Sequence, residues 1–114
     1  MGASPAGAVI LVPFPFSDLS QAKLRPAVVL AEVGRGDRIL CQVTSNPYGD
    51  AQAILLDDAA FTRGSLRFAS YARPGKLFTA SADLTVGEVG MLTDAARTQI
   101  VDAVIGLLSA GRGS

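Results

Sequence analysis

The stretch that decides the fold is residues 7–33, GAVILVPFPFSDLSQAKLRPAVVLAEV, in which two apolar runs flank a polar segment. Residues 7–12 and 26–33 are rich in β-branched side chains, and each run predicts a buried strand. Residues 13–24 between them contain prolines, serines and an aspartate, and predict a loop. The sequence therefore predicts a strand, a polar loop and a second strand.

The cations at the end of this loop are Lys23 and Arg25. Pro26 biases the backbone of Arg25 to an extended conformation, and its missing N–H suits the start of a strand or an edge. Arg25 is therefore expected where a loop meets a rigid sheet, a position suited to catalysis or ligand binding. The alternative is a structural cation paired with Asp18 or Glu32.

The rest of the chain continues as short extended runs separated by turns. Apolar or alternating patterns predict further strands over residues 38–45, 53–56, 65–72, 77–80 and 87–92. Glycine, proline, asparagine and aspartate predict turns at residues 34–37, 46–50 and 73–76. Residues 57–64 predict a polar connection with room for one helical turn.

One helix is predicted, over residues 93–109. Thr93 suits the N-cap, Asp94 the first turn, and Gly111 the stop signal after the helix. The apolar stripe consists of Ile100, Val101, Val104, Ile105 and Leu108. Short strands followed by one amphipathic helix predict a mainly β fold, a small curved antiparallel sheet or open barrel capped by the helix.

Composition bounds the class of protein. The 114 residues suit a single domain, 1–114, with residues 1–6 expected to be flexible, and 49% hydrophobic residues argue against disorder. The formal net charge of zero argues against a broadly basic nucleic-acid surface. The chain has no histidine, which removes histidine bases and most zinc sites. Its one cysteine, Cys41, predicts a buried small hydrophobe and a reducing, cytoplasmic location.

A series of short motifs resembles the PemK/MazF family of toxin endoribonucleases, the toxins of type II toxin–antitoxin pairs. The motifs are VPFPFSDLS at residues 12–20, KLRPAVVL at 23–30, VTS at 43–45, GSL at 64–66, SYARPGKLFT at 70–79 and VGMLT at 89–93. They occur in the family's order between residues 7 and 108. One departure is Ala8, where the family has an acidic residue after the first-strand glycine.

The resemblance implies an SH3-like barrel of the PemK/MazF/CcdB type and a homodimer. It implies metal-independent cleavage of single-stranded RNA at short motifs, without a cofactor. It also implies a cognate antitoxin whose disordered, acidic C-terminal segment occupies a basic groove. The first strand and the terminal helix are the surfaces we expect in the dimer.

By position in these motifs, Arg25 matches the catalytic arginine of the family and Thr44 the catalytic threonine. A guanidinium fits phosphate oxygens and stabilises the charge of a phosphorane. The threonine hydroxyl can donate to a phosphate oxygen or orient the attacking 2′-hydroxyl. The sequence does not identify the general base, because arginine stays protonated.

Further side chains near the same motifs are candidates for RNA binding, the cations toward phosphates and the aromatic rings toward bases. They are Lys23, Ser45, Arg67, Ser70, Tyr71, Arg73, Lys76, Phe14 and Phe16, with Asn46 and Tyr48 as weaker candidates. The alternative is a solvated loop surface for the cations and core packing for Phe14 or Phe16.

Two other functions fit the same fold. A CcdB-type toxin poisons DNA gyrase by binding it, but lacks the Lys-x-Arg-Pro and Thr-Ser arrangement present here. A plain SH3-like binding module would have no use for Arg25 and Thr44 together. Fold alone does not separate these functions.

Overall fold

The computed structural model describes residues 4–15 and 22–112, which form seven strands and one α-helix. The strands are β1 (Ala8–Pro15), β2 (Ala22–Gly34), β3 (Asp37–Thr44), β4 (Ile54–Leu56), β5 (Phe61–Gly64), β6 (Ser70–Ser81) and β7 (Gly87–Leu92). Two 3₁₀ turns, Asp58–Ala60 and Ala82–Leu84, precede β5 and β7, and the helix α1 is Asp94–Arg112.

The strands form one antiparallel sheet in the order β4-β6-β3-β2-β1-β7-β5. The sheet curves into a nearly closed barrel, and α1 follows as the last element. The predicted fold class, a small mainly β barrel with a C-terminal helix, is confirmed.

Both sides of the central strands are buried, as expected for a sheet that is covered on two faces. Val9, Val28 and Cys41 belong to the apolar cluster that also contains Ile100 of α1. Their neighbours in each strand, such as Ile10, point to the other side and form a second cluster. Cys41 is the predicted small buried hydrophobe, and burial raises the pKa of its thiol to about 12.

The hairpin of β1 and β2 extends into the predicted loop. The strands pair from Val9 with Val28 as far as Pro15 with Ala22, so Lys23 lies in β2 rather than in a loop. The backbone explains why the prolines are tolerated. The carbonyl of Leu11 accepts from Val86 N at 2.8 Å, on the side away from β2. The backbone groups of residues 13 and 15 point to the same side as those of Leu11. The missing N–H groups of these prolines therefore remove no hydrogen bond between β1 and β2.

The turn predicted at residues 73–76 is a bulge inside a continuous strand. Val43 pairs with Ala72 and Cys41 with Leu77, so the four residues 73–76 lie opposite a single residue of β3. A bulge of this kind holds a proline and a glycine without ending the strand. Two predicted strands are therefore one strand, β6.

The connection predicted over residues 57–64 contains the turn Asp58–Ala60 and also strand β5, which the sequence analysis missed. Strand β5 ends at Gly64, whose φ is +70°. Residues 65–69, predicted as the start of a strand, form a loop between β5 and β6.

Helix α1 begins where predicted and ends later. Thr93 is the N-cap, because its Oγ1 accepts from Ala96 N at 3.0 Å. The helix continues through Gly111 to Arg112, so the glycine does not stop it. Among the described residues, no helix is long and apolar enough to cross a membrane.

The N-terminal residues that the structure describes begin at Ser4 and are tied to the barrel. The buried guanidinium of Arg38 donates to the Ser4 carbonyl at 2.9 Å and to Thr85 Oγ1 at 2.5 Å. A hydrogen bond from the Ser4 side chain, followed by the ion pair with Arg63, lowers the pKa of Glu88.

Candidate active site

Arg25 of β2 and Thr44 of β3 line one cleft of about 280 Å³. The cleft is also lined by Leu11, Pro26, Val43, Ser45, Ser65, Leu66, Arg67, Phe68, Ser70 and Val89. The two residues that the family resemblance assigns to catalysis therefore lie in the same depression, together with one further arginine and three serines.

Pro26 explains why a cleft opens at this point of the sheet. Pro26 lies opposite Leu11, which directs its carbonyl away from β2, so the nitrogen of Pro26 points toward β3. Since this nitrogen has no hydrogen, the ladder between β2 and β3 ends at Ala27 and Gln42. Arg25 and Thr44 each lie two residues beyond that last pair, where the strands are no longer held together.

The loop after β3 is held by hydrogen bonds of its own side chains. Thr44 Oγ1 accepts from Asn46 N and donates to Asn46 O, both at 3.1 Å. Asn46 Oδ1 accepts from Tyr48 N at 2.9 Å. Further along the same loop, Tyr48 and Gly49 have positive φ angles of 55° and 74°. For Thr44 to donate to a phosphate, its hydroxyl must release the Asn46 carbonyl.

An ion pair joins the far end of this loop to the bulge of β6. Arg73 Nε donates to Asp50 Oδ2 at 3.0 Å, and both side chains are more than four-fifths buried. The guanidinium also lies 5.7 Å from the centre of the Tyr48 ring. Hydrogen bonds from Arg73 and then from Gln52 N lower the pKa of Asp50. Arg73 thus has a partner within the fold and lies outside the cleft.

The loop of residues 65–69 forms the opposite wall of the cleft. Ser70 is buried and its Oγ donates to the Phe68 carbonyl at 2.9 Å. The Arg67 guanidinium lies 5.7 Å from the centre of the Phe68 ring, which is exposed. Sequence analysis missed Phe68 because an apolar ring in a predicted strand indicates core. The adjacent arginine and the preceding Gly-Ser were the available signal for a loop.

The structure brings together only part of the predicted site. The predicted residues in the cleft are Arg25, Thr44, Ser45, Arg67 and Ser70. The predicted residues outside its lining are Lys23, Asn46, Tyr71, Arg73 and Lys76. Tyr71 pairs with Thr44 across β3 and β6. Phe16, like Asp18, lies outside the described residues. Phe14 packs edge-to-face on Phe78 with ring centres 4.6 Å apart.

The described part of the chain has no group of three or more histidine, cysteine, aspartate or glutamate side chains placed to hold a metal ion.

No protein-family model matches the chain, and no curated protein matches it in sequence. Solved structures do match. The MazE–MazF complex from Deinococcus radiodurans aligns with a TM-score of 0.75 at 15% identity, over 95% of this chain and 98% of that chain. An endoribonuclease in complex with its cognate antitoxin, from a mycobacterial species, gives 0.71 at 15% identity over 96% of both chains.

A third structure, the Mycobacterium tuberculosis toxin MazF-mt6, gives a TM-score of 0.65 at 13% identity, over 88% of this chain and 96% of that chain. At these identities the likeness establishes the fold. The chain therefore has the architecture of the MazF toxins over nearly its whole length.

Proposed function

We propose that this protein is the toxin of a type II toxin–antitoxin pair, a sequence-specific, metal-independent endoribonuclease that cleaves single-stranded mRNA in the cytoplasm. The observation that carries the proposal is the cleft in which Arg25 and Thr44 meet at the end of the β2–β3 ladder. The fold shared with the MazF structures supports it.

The proposed reaction uses the 2′-hydroxyl of the RNA as its nucleophile. The 2′-oxygen attacks the adjacent phosphorus, the bond from phosphorus to the 5′-oxygen breaks, and a 2′,3′-cyclic phosphate and a 5′-hydroxyl remain. The 2′-hydroxyl loses its proton to a base that remains unassigned, and the 5′-oxygen gains one. The chain must hold the attacking oxygen in line and stabilise the extra negative charge.

Arg25 is assigned the role of stabilising the negative charge of the phosphorane, because a guanidinium donates two parallel hydrogen bonds to phosphate oxygens. Its position beside Pro26 within β2, paired with Val12 of β1, holds it on a rigid element. Thr44 is assigned the role of donating a hydrogen bond to a phosphate oxygen or orienting the 2′-hydroxyl. For this its hydroxyl gives up the hydrogen bond to the Asn46 carbonyl. Arg67 at the cleft wall would hold a neighbouring phosphate.

The other predicted cations would act outside the cleft. Lys23 and Lys76 are exposed and would attract the RNA backbone over a longer distance. Arg73 would serve the site by holding the loop that follows Thr44, through its ion pair with Asp50. Cleavage by this arrangement should weaken as salt increases.

Two protein partners are part of the proposal. The matched mycobacterial endoribonuclease was solved with its cognate antitoxin, and we expect an antitoxin here as well. We also expect a homodimer. Of the two surfaces predicted for it, β1 lies between β2 and β7 over residues 8–11, whereas the second half of α1 exposes Ile105 and Leu108.

The test is cleavage of a long single-stranded RNA in EDTA, with the ends sequenced. We expect cuts at a recurring short motif and cyclic phosphate ends. Arg25→Ala should lower the rate by about 10²–10³-fold, as loss of a charge-stabilising donor does, and Arg25→Lys should restore only part of it. Arg35→Ala at the other end of β2 is the matched control and should cleave normally.

Thr44 is tested in the same assay. Thr44→Val should lower the rate by about tenfold, the value of one hydrogen bond, and Thr44→Ser should keep most of it. Full activity of Arg25→Ala would overturn the assigned mechanism. Absence of cleavage by folded wild-type protein would overturn the enzyme proposal and favour a gyrase poison or a binding module.

A further inference from the structure

Phe68 is an exposed aromatic ring between two clefts. Its side chain is 67% exposed, and it lines both the cleft of Arg25 and a second cleft of about 240 Å³. The second cleft is lined by Leu56, Asp57, Asp58, Leu66, Arg67, Phe68 and Ala69. The loop of residues 65–69 is thus a wall shared by two neighbouring depressions.

The backbone that carries the ring is anchored. Ser70 is only 6% exposed, and its hydroxyl donates to the Phe68 carbonyl at 2.9 Å. On the other side of the loop, Gly64 packs directly against the backbone of Val89 and Gly90. An apolar ring that stays exposed to water lacks the stabilisation that its burial would contribute. A partner that covers Phe68 would recover this free energy.

The two clefts differ in charge, and the difference decides what each can hold. The first contains Arg25 and Arg67 and favours phosphates. The second contains the carboxylates of Asp57 and Asp58 beside Arg67, so it disfavours a phosphate relative to the first, and the ring of Phe68 in its wall offers a surface to a neutral, flat group. A nucleotide that leaves its phosphate in the first cleft has such a group in its base.

We propose that Phe68 is the stacking platform for the base of a nucleotide adjacent to the scissile phosphate of single-stranded RNA. Arg67, whose guanidinium lies over one face of the ring and which lines both clefts, holds the phosphate that connects this nucleotide to the cleaved one, and the base stacks on the other face. Unstacked bases of single-stranded RNA bind aromatic side chains in this manner. The inference rests on the proposed function and adds a specificity-determining residue to it.

Phe68→Ala should raise the KM for a short RNA carrying the mapped cleavage motif by roughly 5- to 150-fold, the usual effect of losing one base stack. The kcat should change little, because stacking holds substrate and transition state equally. Phe68→Tyr should behave as wild type, and Phe68→Leu should not, since it keeps apolar bulk without a π-face. Thermal unfolding of all three variants should match wild type, because the ring is exposed.

The partner base is identified by removing it. In RNAs with one abasic nucleotide beside the scissile bond, the wild-type protein should lose affinity at one position by the same factor as Phe68→Ala. The variant itself should be insensitive to that abasic site, as a double-mutant cycle requires for two groups in contact. If the losses from Phe68→Ala and from the abasic nucleotide were additive at every position, the proposal would be overturned.

A direct signal comes from Phe68→Trp, because the chain contains no tryptophan. Binding of a random-sequence 2′-O-methyl RNA, which cannot be cleaved, should quench the new fluorescence. Leu84→Trp is the control, since Leu84 is exposed and lines neither cleft. Unchanged fluorescence of Phe68→Trp under saturating RNA would overturn the stacking role.

These experiments separate the two proposals. A wild-type protein that cleaves RNA while Phe68→Ala keeps its KM overturns the stacking role and leaves the proposed function intact. A wild-type protein that does not cleave, while Phe68→Trp is quenched and Leu84→Trp is not, overturns catalysis and supports RNA stacking. Without cleavage or quenching, both proposals are wrong.

Discussion

At the scale of single residues, Gly64 shows how one missing carbon atom shapes the candidate site. Its φ is +70°, and a Cβ built on it would lie 2.2 Å from the Val89 carbonyl oxygen. The contact brings the end of β5 onto β7, and the loop of residues 65–69 starts from it. The glycine is needed for close approach as well as for its conformation.

We therefore predict that Gly64→Ala lowers the free energy of unfolding by about 3 kcal/mol or more, the sum of left-handed strain and a backbone collision. Gly34→Ala is the matched control, because Gly34 also has a positive φ, +98°, but a Cβ there meets nothing within 4 Å. It should cost only about 1 kcal/mol. Urea unfolding of both variants measures the difference, and equal losses would contradict the close-approach argument.

At the scale of elements, the ion pair of Arg73 and Asp50 connects the loop after β3 to the bulge of β6. The sequence analysis placed Arg73 in a turn and made it a candidate for RNA binding, with a solvated loop surface as the alternative. The bulge keeps the strand continuous and turns the guanidinium toward Asp50 instead. The carboxylate partner lies 23 residues earlier in the chain, a distance at which sequence patterns carry little information.

This ion pair predicts a dependence of stability on pH. The pKa of Asp50 is lowered in the folded protein, so below about pH 4 the unfolded chain binds more protons than the folded one. The contribution of Asp50 to stability is therefore complete above that pH and is lost as pH falls through the lowered pKa.

The measurement is urea unfolding of wild type and Asp50→Asn between pH 6 and pH 3. Asp50→Asn should be less stable at pH 6 and should lose less stability on acidification than wild type. Part of the pH dependence of stability should remain in both proteins, because the pKa of Glu88 is also lowered. Asp102→Asn on the exposed side of α1 is the control. Parallel pH curves for wild type and Asp50→Asn would show that Asp50 is not the group responsible.

Much of the architecture could be predicted from local patterns, and the misses have a common cause. The apolar runs predicted the central strands, and the cap at Thr93 predicted the start of α1. The missed strand β5 is only four residues long, and exists because it pairs with β7 about 30 residues away. Prolines in β1, β2 and β6 were taken as ends of strands, yet those in β1 point away from β2, that in β6 lies in a bulge, and Pro26 ends the ladder to β3 without ending β2.

The candidate site was predictable where a motif sets a residue beside the end of a ladder, and not where tertiary contacts decide. Arg25 and Thr44 reach one cleft because Pro26 ends the ladder between their strands. Phe68 was missed because its exposure depends on Ser70 and on the loop that Gly64 starts.

At the scale of the whole molecule, α1 completes one of the two apolar clusters of the barrel. Ile100 is fully buried in the cluster that contains Val9, Val28 and Cys41 from three successive strands. The helix follows β7 directly, and β7 pairs with β1. The packing of α1 therefore also depends on the pairing of β1 with β7. Helix and sheet should therefore unfold together.

We predict that Ile100→Ala lowers the free energy of unfolding by about 2–5 kcal/mol, the cost of a cavity in a well-packed core. Ile105→Ala removes the same atoms from the same helix at a position that is 54% exposed, and should cost less than about 1 kcal/mol. Because the cavity lies between helix and strands, circular dichroism of the helix and fluorescence of the tyrosines should give one shared transition in both variants. A helix signal that melts first in Ile100→Ala would instead show that α1 is a separate unit added to a barrel that is stable without it.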